Sequence, residues 1–554
     1  GAARTMGPHT FFLSLSFGDV EEAGEYMGAM CADTDMLEFR MDLIADQSRH
    51  HLVSQIQSLR LMARPHATRA PLLASPGSGS VLTDALPVLY TCRTAHQAGK
   101  YPDATPADTD AMYDALALGL RCGCEVLDVE SAWDTDPAAA ARRARLLDDA
   151  RDTHGSTLLL GSHHVVGRTA APAEAAALFD KCALDGRAHG AKLVLSCDDE
   201  AGAGCAADAA RVFQKTHPDV VPVHLVLGDV GQRSRMLNTF FTPVTHGALP
   251  FKAAPGQLSA QEIMANRVAD GSVPAKNFCI LGHNISYSVS PAMQGAALRA
   301  VGLPHTFEDA AAADVEDVEQ FVTGDLFTAD DFGGACVTIP HKQNILPYMD
   351  EVSDAVRAIG SMNTIVVQET ADGTRKLFGE NTDWRGIRNP LARKIAATSA
   401  PRVALILGGG GTARAAAYAA QQLGLDRVYC NRTPAKAAEL AATFGGGVVS
   451  SLDDAALADL DVAVVISTLP AAAGVTLPAA LLARRPVVFD VNYKPYSTPL
   501  LEQAVAGGCE VVRGSEMLWE QGAAQLEIWT GRTAPYGVMR DTVLRNCLPE
   551  EAMP

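Results

Sequence analysis

The 554-residue chain lacks any uninterrupted apolar run near the ~20 residues that a bilayer-spanning helix requires. It also lacks positive charge: 45 Lys and Arg stand against 64 Asp and Glu, a formal net charge of −19. That balance speaks against a nucleic-acid or anionic-membrane partner, since both need a clustered basic face. Cysteine motifs are absent too. Of 12 cysteines, Cys122 and Cys124 are the closest pair, and their spacing is neither a zinc knuckle nor a redox C-x-x-C. No metal site is expected. Most cysteines follow apolar neighbours and read as reduced and buried, which suits a cytoplasmic protein (or a plastid one, from a photosynthetic source). The start, Gly1-Ala2-Ala3-Arg4, lacks an initiator Met and the charged-then-apolar plan of a secretory signal. The expectation is a fragment or a piece of a longer polypeptide.

What is present is ordinary globular composition, 48% hydrophobic and 20% charged, in a chain too long for one core. Residues 1–254 repeat one unit, a short apolar run followed by a helical stretch. The runs are Thr10–Phe17, Met36–Met41, Pro87–Cys92, Glu125–Glu130, Ser156–His164, Lys192–Ser196, Val221–Leu227 and Pro243–Phe251. Eight strands alternating with helices over ~250 residues predict an α/β fold, a (β/α)8 barrel. The last two intervals are the least regular, so counts of seven or nine stay open. Barrel enzymes draw catalytic groups from the C-terminal ends of their strands. That rule picks out Glu38, Arg40, Arg93, Glu130, His164 and Arg235.

A connector follows, with Pro255-Gly256-Gln257, a short helix from Ser259, and Gly271-Ser272-Val273-Pro274. A second α/β pattern starts at Asn277. Its first part has strands near 277–282, 333–338 and 363–368. Further strands lie near 402–407, 426–430, 461–466, 486–490 and 509–513, and a helical tail begins at Glu516. The expected domains are a barrel over 1–258, a linker over 259–275, a substrate lobe over 276–395 plus 516–554, and a nucleotide lobe over 396–515.

The apolar strand Val403–Leu407 runs into Gly408-Gly409-Gly410-Gly411-Thr412-Ala413 and then an Ala-rich helix. Gly408, Gly410 and Ala413 fill the three small positions of a dinucleotide fingerprint. Glycines let the backbone approach the pyrophosphate, and the helix N-terminus supplies free N–H groups. The next strand ends in Asn431-Arg432-Thr433, with Lys436 close behind. An NAD site usually places an acid there to hold the ribose 2′-hydroxyl. Here the position is neutral and then cationic, which suits the 2′-phosphate of NADP(H).

Three segments, Ser288-Val289-Ser290-Pro291, Thr338-Ile339-Pro340-His341-Lys342 and Asn381-Thr382-Asp383, stand in order with Asn363-Thr364. Together with the glycine run, Asp490…Tyr493 and Glu516-Met517…Gln521-Gly522, they resemble shikimate dehydrogenase over nearly all of 277–554. The resemblance implies that Lys342 moves the hydroxyl proton beside Asp383. It implies that Ser288 and Ser290 hold the substrate carboxylate, and that Thr338, Asn363, Tyr493 and Gln521 contact ring hydroxyls. Gly514 joins the cofactor-binding set. Val289, where the family often has a basic or larger residue, is a departure that leaves the serine hydroxyls in place.

Glu38-Phe39-Arg40-Met41-Asp42, Ser162-His163-His164 and Gly231-Gln232-Arg233-Ser234-Arg235 resemble type I 3-dehydroquinate dehydratase. The stretches Arg93-Thr94…Gln97-Ala98-Gly99-Lys100 and Leu249–Gln257 resemble the matching part of the fungal pentafunctional AROM polypeptide more closely still. There the dehydratase directly precedes the dehydrogenase. The resemblance implies a lysine that forms a Schiff base with the substrate ketone and a histidine, His164, that removes the adjacent proton. Arg235 and Gln257 would hold the carboxylate, and Glu38, Arg40 and Arg93 the hydroxyls. Two departures are Gln97, usually Glu in bacterial enzymes, and Ala253, often Ser. The lysine is ambiguous: one alignment puts Leu195 at its position, which would leave the barrel without imine chemistry. The other, favoured, puts Lys192 there.

The resulting expectation is a bifunctional shikimate-pathway enzyme. It dehydrates 3-dehydroquinate to 3-dehydroshikimate and reduces that product to shikimate with NADPH. Three rivals are a dehydrogenase with an inactive barrel, a quinate dehydrogenase, and a quinate repressor-like regulator. The expected partners are these small molecules, with neither nucleic acid nor membrane, and a homo-oligomer is left open.

Overall fold

The computed structural model describes residues 10–64, 86–133, 137–155, 157–197, 200–228, 231–238, 241–250, 252, 256–307, 313–369, 374–395, 402–457 and 459–549. The expected serine-replacing Ala253 and the end of the Pro243–Phe251 run lie outside them. The chain separates into two compact units. Unit 1 comprises 1–273 with 300–303 and 530–537, and unit 2 comprises 274–299, 304–529 and 538–554.

Unit 1 is built on eight strands. They are β1 (Phe11–Leu15), β2 (Met36–Arg40), β3 (Val88–Thr91), β4 (Val126–Glu130), β5 (Leu158–Thr169), β6 (Gly190–Ser196), β7 (Val221–Val226) and β8 (Thr242–Val244). All neighbouring pairs are parallel, in the order β7-β6-β5-β4-β3-β2-β1-β8. Among the described residues no pairing joins β7 to β8, so the barrel is nearly closed. Both strands carry a proline, Pro222 and Pro243, which removes a ladder donor from each. Side chains alternate between the two sides of each strand. One side forms a buried cluster that includes Phe12, Met36, Leu89, Val126, Leu158, Leu160, Val194, Val223, Leu225 and Phe241. The stretch expected to be a linker holds a capped helix, Ala260–Ala269, whose Ser259 and Glu262 form a capping box. It clusters with unit 1.

Unit 2 has two sheets. The first contains β9 (Asn277–Leu281), β10 (Thr306–Phe307), β11 (Phe332–Val337), β12 (Glu351–Val352), β13 (Thr364–Glu369) and β14 (Arg375–Glu380), in the order β10-β9-β11-β13-β14-β12. It is mixed, with β13 antiparallel to both β11 and β14. The second contains β15 (Val403–Leu407), β16 (Asp426–Cys430), β17 (Gly447–Val449), β18 (Val462–Ser467), β19 (Val487–Asp490) and β20 (Val511–Val512), ordered β17-β16-β15-β18-β19-β20. All its strands are parallel. The order reverses between β15 and β18, and in such sheets ligands bind at that switch point, beyond the carboxyl ends of the strands. The helix Gly411–Gln422 packs there through six fully buried alanines, small enough for close approach. Among the described residues no helix is long and apolar enough to cross a membrane.

Candidate active sites

In unit 2, the first sheet contributes the end of β11 and the start of a helix after β14. Lys342 follows β11 in the Thr338–Lys342 segment. Asp383 opens the helix Asp383–Lys394, where the N-terminal backbone favours a carboxylate. Lys342 Nζ donates to Asp383 Oδ2, and Asn363 Nδ2 donates to Asp383 Oδ1 at 2.9 Å. Asn363 is itself fixed. Its Nδ2 donates to Gln521 Oε1 at 3.1 Å, and its Oδ1 accepts from the Thr382 N–H at 2.7 Å. The position of the lysine is thus set by a buried polar chain, with Asp383 3% and Asn363 2% exposed. A cavity of about 460 Å³ opens beside it. Ser288, Ser290, Thr338, Lys342, Asn363, Asp383, Thr412, Tyr493, Gly514 and Gln521 all line it. Burial pushes the Tyr493 phenol well up, and its hydrogen bond with Ser288 opposes that. Sequence reasoning missed Gln525, which also lines the cavity and donates to the Asn363 carbonyl and to Thr364 Oγ1, both at 3.0 Å. It lies one helical turn beyond Gln521, and that spacing is the signal that could have found it.

The glycine run sits at the switch point of the second sheet. Gly408 has φ +127, and an added Cβ would stand 2.1 Å from Thr468 Oγ1. At Gly409 a Cβ would meet Asn431 Nδ2 at 2.5 Å, so Asn431 seals the back of the loop. At Gly411 it would meet Lys342 Cβ at 3.5 Å, which brings the loop to the lysine. Arg432, Thr433 and Lys436 are exposed just beyond β16, and Thr433 N–H donates to Asn431 Oδ1 at 2.8 Å. Neither cation has an acidic partner within 4.0 Å among the described residues.

In unit 1, the predicted residues cluster at the ends of β2 to β6. Glu38 accepts from Ser14 and, at 2.8 Å, from Thr91. Arg40 pairs with Asp42 through two bonds of 2.8 Å. Arg93 donates to Glu130 and Ser162 at 2.9 Å and to Asp128 at 2.6 Å. Lys192 pairs with Ser162 in the β5–β6 register, and its Nζ lies 3.6 Å from Asp128 Oδ2 and 5.3 Å from the Phe12 ring centroid. Leu195, three residues on, falls on the opposite side of β6. Burial lowers the proton affinity of Lys192, opposed by Asp128.

His164 sits on β5, two residues after Ser162 and on the same side. Burial comes first and the cations Arg93, Lys192 and Arg40 follow in holding its imidazole well below the ordinary histidine range. Its Nδ1 is buried without a hydrogen-bond partner. Gln97 does not take the ring; its Oε1 accepts from the His164 main-chain N–H at 2.6 Å. His163 faces away and bonds Ser131 Oγ at 3.0 Å. Arg235 is 2% exposed, spends one bond of 3.3 Å on the Pro243 carbonyl, and leaves Nε unpartnered. Burial pushes it down to about 10. Gln257 is buried too, after Gly256, whose φ is +71 and whose Cβ, if present, would meet the Gly228 carbonyl at 2.4 Å. Among the described residues no group of three or more His, Cys, Asp or Glu could hold a metal ion. Asp128 escaped the sequence reading, although it lies two residues before Glu130 on the same strand and so on the same side.

A barrel with a buried amine and a desolvated histidine precedes a bilobed unit with a lysine–aspartate pair at a nucleotide-type glycine loop, two enzyme-like sites on one chain. Family models match in that order: type I 3-dehydroquinase over 11–266, the shikimate dehydrogenase substrate binding domain over 280–365, and the shikimate 5′-dehydrogenase C-terminal domain over 514–544. The chain belongs to the family of type I 3-dehydroquinases joined to shikimate dehydrogenases. The solved dehydroquinate dehydratase and shikimate dehydrogenase from S. pombe AroM is 30% identical, covering 97% of this chain and 98% of that one at a TM-score of 0.75. The pentafunctional AROM polypeptide of Mycosarcoma maydis is 33% identical over 601 residues, 98% of this chain and 33% of its own length. That of Schizosaccharomyces japonicus is 32% identical over 553 residues, again 33% of its length. The chain thus spans about a third of the curated relatives it matches.

Proposed function

We propose that unit 1 dehydrates 3-dehydroquinate to 3-dehydroshikimate through an imine on Lys192, and that unit 2 reduces 3-dehydroshikimate to shikimate with NADPH. The observation that carries the reading is the placement of Lys192. It is buried within β6 on the Ser162 side of the barrel, where Leu195 is not.

The Lys192 lone pair attacks the C3 carbonyl carbon as the carbonyl π pair moves to oxygen. The new ammonium passes one proton to that oxygen, a second comes from solvent, and the oxygen leaves as water as the nitrogen lone pair forms the C=N bond of a protonated imine. Neutral His164 takes a C2 proton, and the C–H pair moves into C2–C3 while the imine pair returns to nitrogen. The C1 hydroxyl then leaves with a proton from His164 as C1=C2 forms and the nitrogen regains its charge. Water releases the product and restores the amine. The lowered proton affinity of His164 keeps it a base at neutral pH. Arg235 and Gln257 hold the substrate carboxylate, and Glu38, Arg40 and Arg93 order the ring hydroxyls.

In unit 2 the residues fit NADP(H). Gly408 and Gly409 leave no room for a side chain, the helix start at Gly411 offers N–H groups to a pyrophosphate, and Arg432 and Lys436 are free for a 2′-phosphate. When bound, the cofactor supplies a hydride to the substrate ketone. Lys342 gives a proton to the ketone oxygen, and Asp383 holds that ammonium in place. Ser288 and Ser290 bind the carboxylate, while Thr338, Asn363, Tyr493 and Gln521 contact hydroxyls. The free state of the cysteines suits a reducing compartment, the cytoplasm.

A coupled assay tests both halves. NADPH should be consumed with either 3-dehydroquinate or 3-dehydroshikimate as substrate. Lys192→Ala should abolish turnover of the first alone, together with the adduct that borohydride traps. Turnover of 3-dehydroshikimate only, by the wild type, would instead establish a dehydrogenase with an inactive barrel.

A further inference from the structure

We propose that Asp128 is the positioning carboxylate of the dehydratase site, holding the Lys192 amine before it attacks and balancing the positive charge of the imine that follows. The proposal rests on the reading of Lys192 as the nucleophile.

The competing carboxylates are already committed. Glu130 accepts from Arg93 at 2.9 Å, from Thr94 N–H and Oγ1 at 3.1 and 2.7 Å, and from Trp133 at 2.8 Å. Glu38 is taken by Ser14 and Thr91. Asp42 is taken by Arg40 and by the Lys100 N–H at 3.1 Å. Among the described residues only Asp128 comes within ion-pair distance of Lys192, at 3.6 Å. Its side chain is 1% exposed and that of Lys192 6%, so water screens the pair little.

Asp128 is also held in one orientation. Oδ1 accepts from Ser162 Oγ at 2.5 Å and Oδ2 from Arg93 Nη2 at 2.6 Å. Ser162 accepts from Arg93 Nη1 at 2.9 Å, which directs its own proton to Asp128. Burial acts to raise the Asp128 proton affinity, but Arg93 and then Lys192 more than offset it, so the group stays an anion. The amine therefore lies between a fixed anion and an aromatic face.

That placement matters twice along the reaction. Before attack, the anion favours the protonated amine and holds it in place. After water leaves, nitrogen carries a positive charge in the imine, loses it when the C2–H pair flows in, and regains it as the C1 hydroxyl departs. A fixed anion beside it stabilises both charged forms without reorganising.

Asp128→Asn in the full chain tests this. The dehydratase kcat should fall by about 100-fold, of the order seen when one preorganised electrostatic partner is removed. The acid limb of the kcat/KM profile should move to lower pH, because an amine without its counterion loses its proton more readily. Borohydride trapping of 3-dehydroquinate on Lys192, read by mass spectrometry, should fall at saturating substrate. Asp128→Glu should recover part of kcat and return the limb towards the wild type. A kcat within threefold of wild type, or a large loss with no shift of the limb, would overturn the proposal. Should the Asn variant lack a cooperative melt of unit 1, the position of the limb in Asp128→Glu decides, and an unmoved limb with depressed kcat counts against it. Absence of turnover and adduct in the wild type would sink the Lys192 reading instead.

Discussion

At the scale of single residues, burial sets most of the chemistry. His164 and Lys192 are both moved towards their neutral forms by desolvation, and the charges around them set the remainder. Gln97 shows how a departure from a family pattern is absorbed. Its amide fixes the main chain under His164 rather than the ring. In the proposed function the two cations beyond β16 hold the 2′-phosphate of NADPH. Arg432→Ala combined with Lys436→Ala should raise the KM for NADPH about 10- to 100-fold, the equivalent of charge-assisted bonds worth about 1.5–3 kcal/mol. The KM for NADH should change by less than about threefold, measured with 3-dehydroshikimate. A second residue sets a pH dependence. His224 on β7 is 8% exposed, neither ring nitrogen has a partner, and burial brings it to about 4 from 6.5. The unfolded chain takes up the proton near 6.5. Its stability contribution is therefore whole above that pH and is lost as pH falls towards 4. The loss over that window is about 3 kcal/mol. Urea unfolding of unit 1 at neutral pH and at about pH 5 should show a smaller loss in His224→Leu than in the wild type, by up to about 2 kcal/mol, the remaining loss coming from His164 and His189, which burial also lowers.

At the scale of elements, side-chain alternation along β6 separates Lys192 from Leu195, and the glycine turn after β15 fixes the nucleotide loop. Gly408 needs its left-handed backbone and has no space for a methyl group. Gly408→Ala should cost at least about 1–3 kcal/mol of unit 2 stability. It should also weaken NADPH binding, both read by calorimetry with and without the cofactor. Long apolar strands were legible in the sequence because a period of two and a run of β-branched residues are local signals. β14 was missed for the converse reason. Arg375-Lys376-Leu377-Phe378-Gly379-Glu380 is only part-buried apart from Gly379, so its pattern carries no clear apolar face. The two-residue strands β10 and β12 are too short for any period to register.

At the scale of the whole molecule, sequence order and structural membership differ. Residues 530–537 belong to unit 1, and Arg532 is 1% exposed there. Its guanidinium lies 4.4 Å from the Phe11 ring centroid and donates to the Asp33 carbonyl at 3.0 Å. Burial raises the proton affinity of Asp35, and Arg532 is the strongest opposing influence. Asp35 in turn accepts from the Phe11 N–H at 2.6 Å, at the start of β1. Arg532→Ala removes the bond to the Asp33 carbonyl and the packing on Phe11, and takes away the cation that opposes the burial of Asp35, which should cost unit 1 about 1–3 kcal/mol. Differential scanning calorimetry should show the unit 1 transition lowered and the unit 2 transition nearly unmoved.

By itself the sequence determined the alternation of strands and helices, the glycine turn, and the serine, lysine and aspartate motifs of unit 2, because each is written in residues close together along the chain. Only the tertiary structure decided that Lys192, and not Leu195, is on the Ser162 side of the barrel, that Asp128 stands beside it, that Gln97 serves the main chain of His164, and that residues 530–537 pack with a barrel more than two hundred residues earlier. Each of those depends on which distant segments meet, and hence on burial and charge supplied by neighbours that no local pattern names.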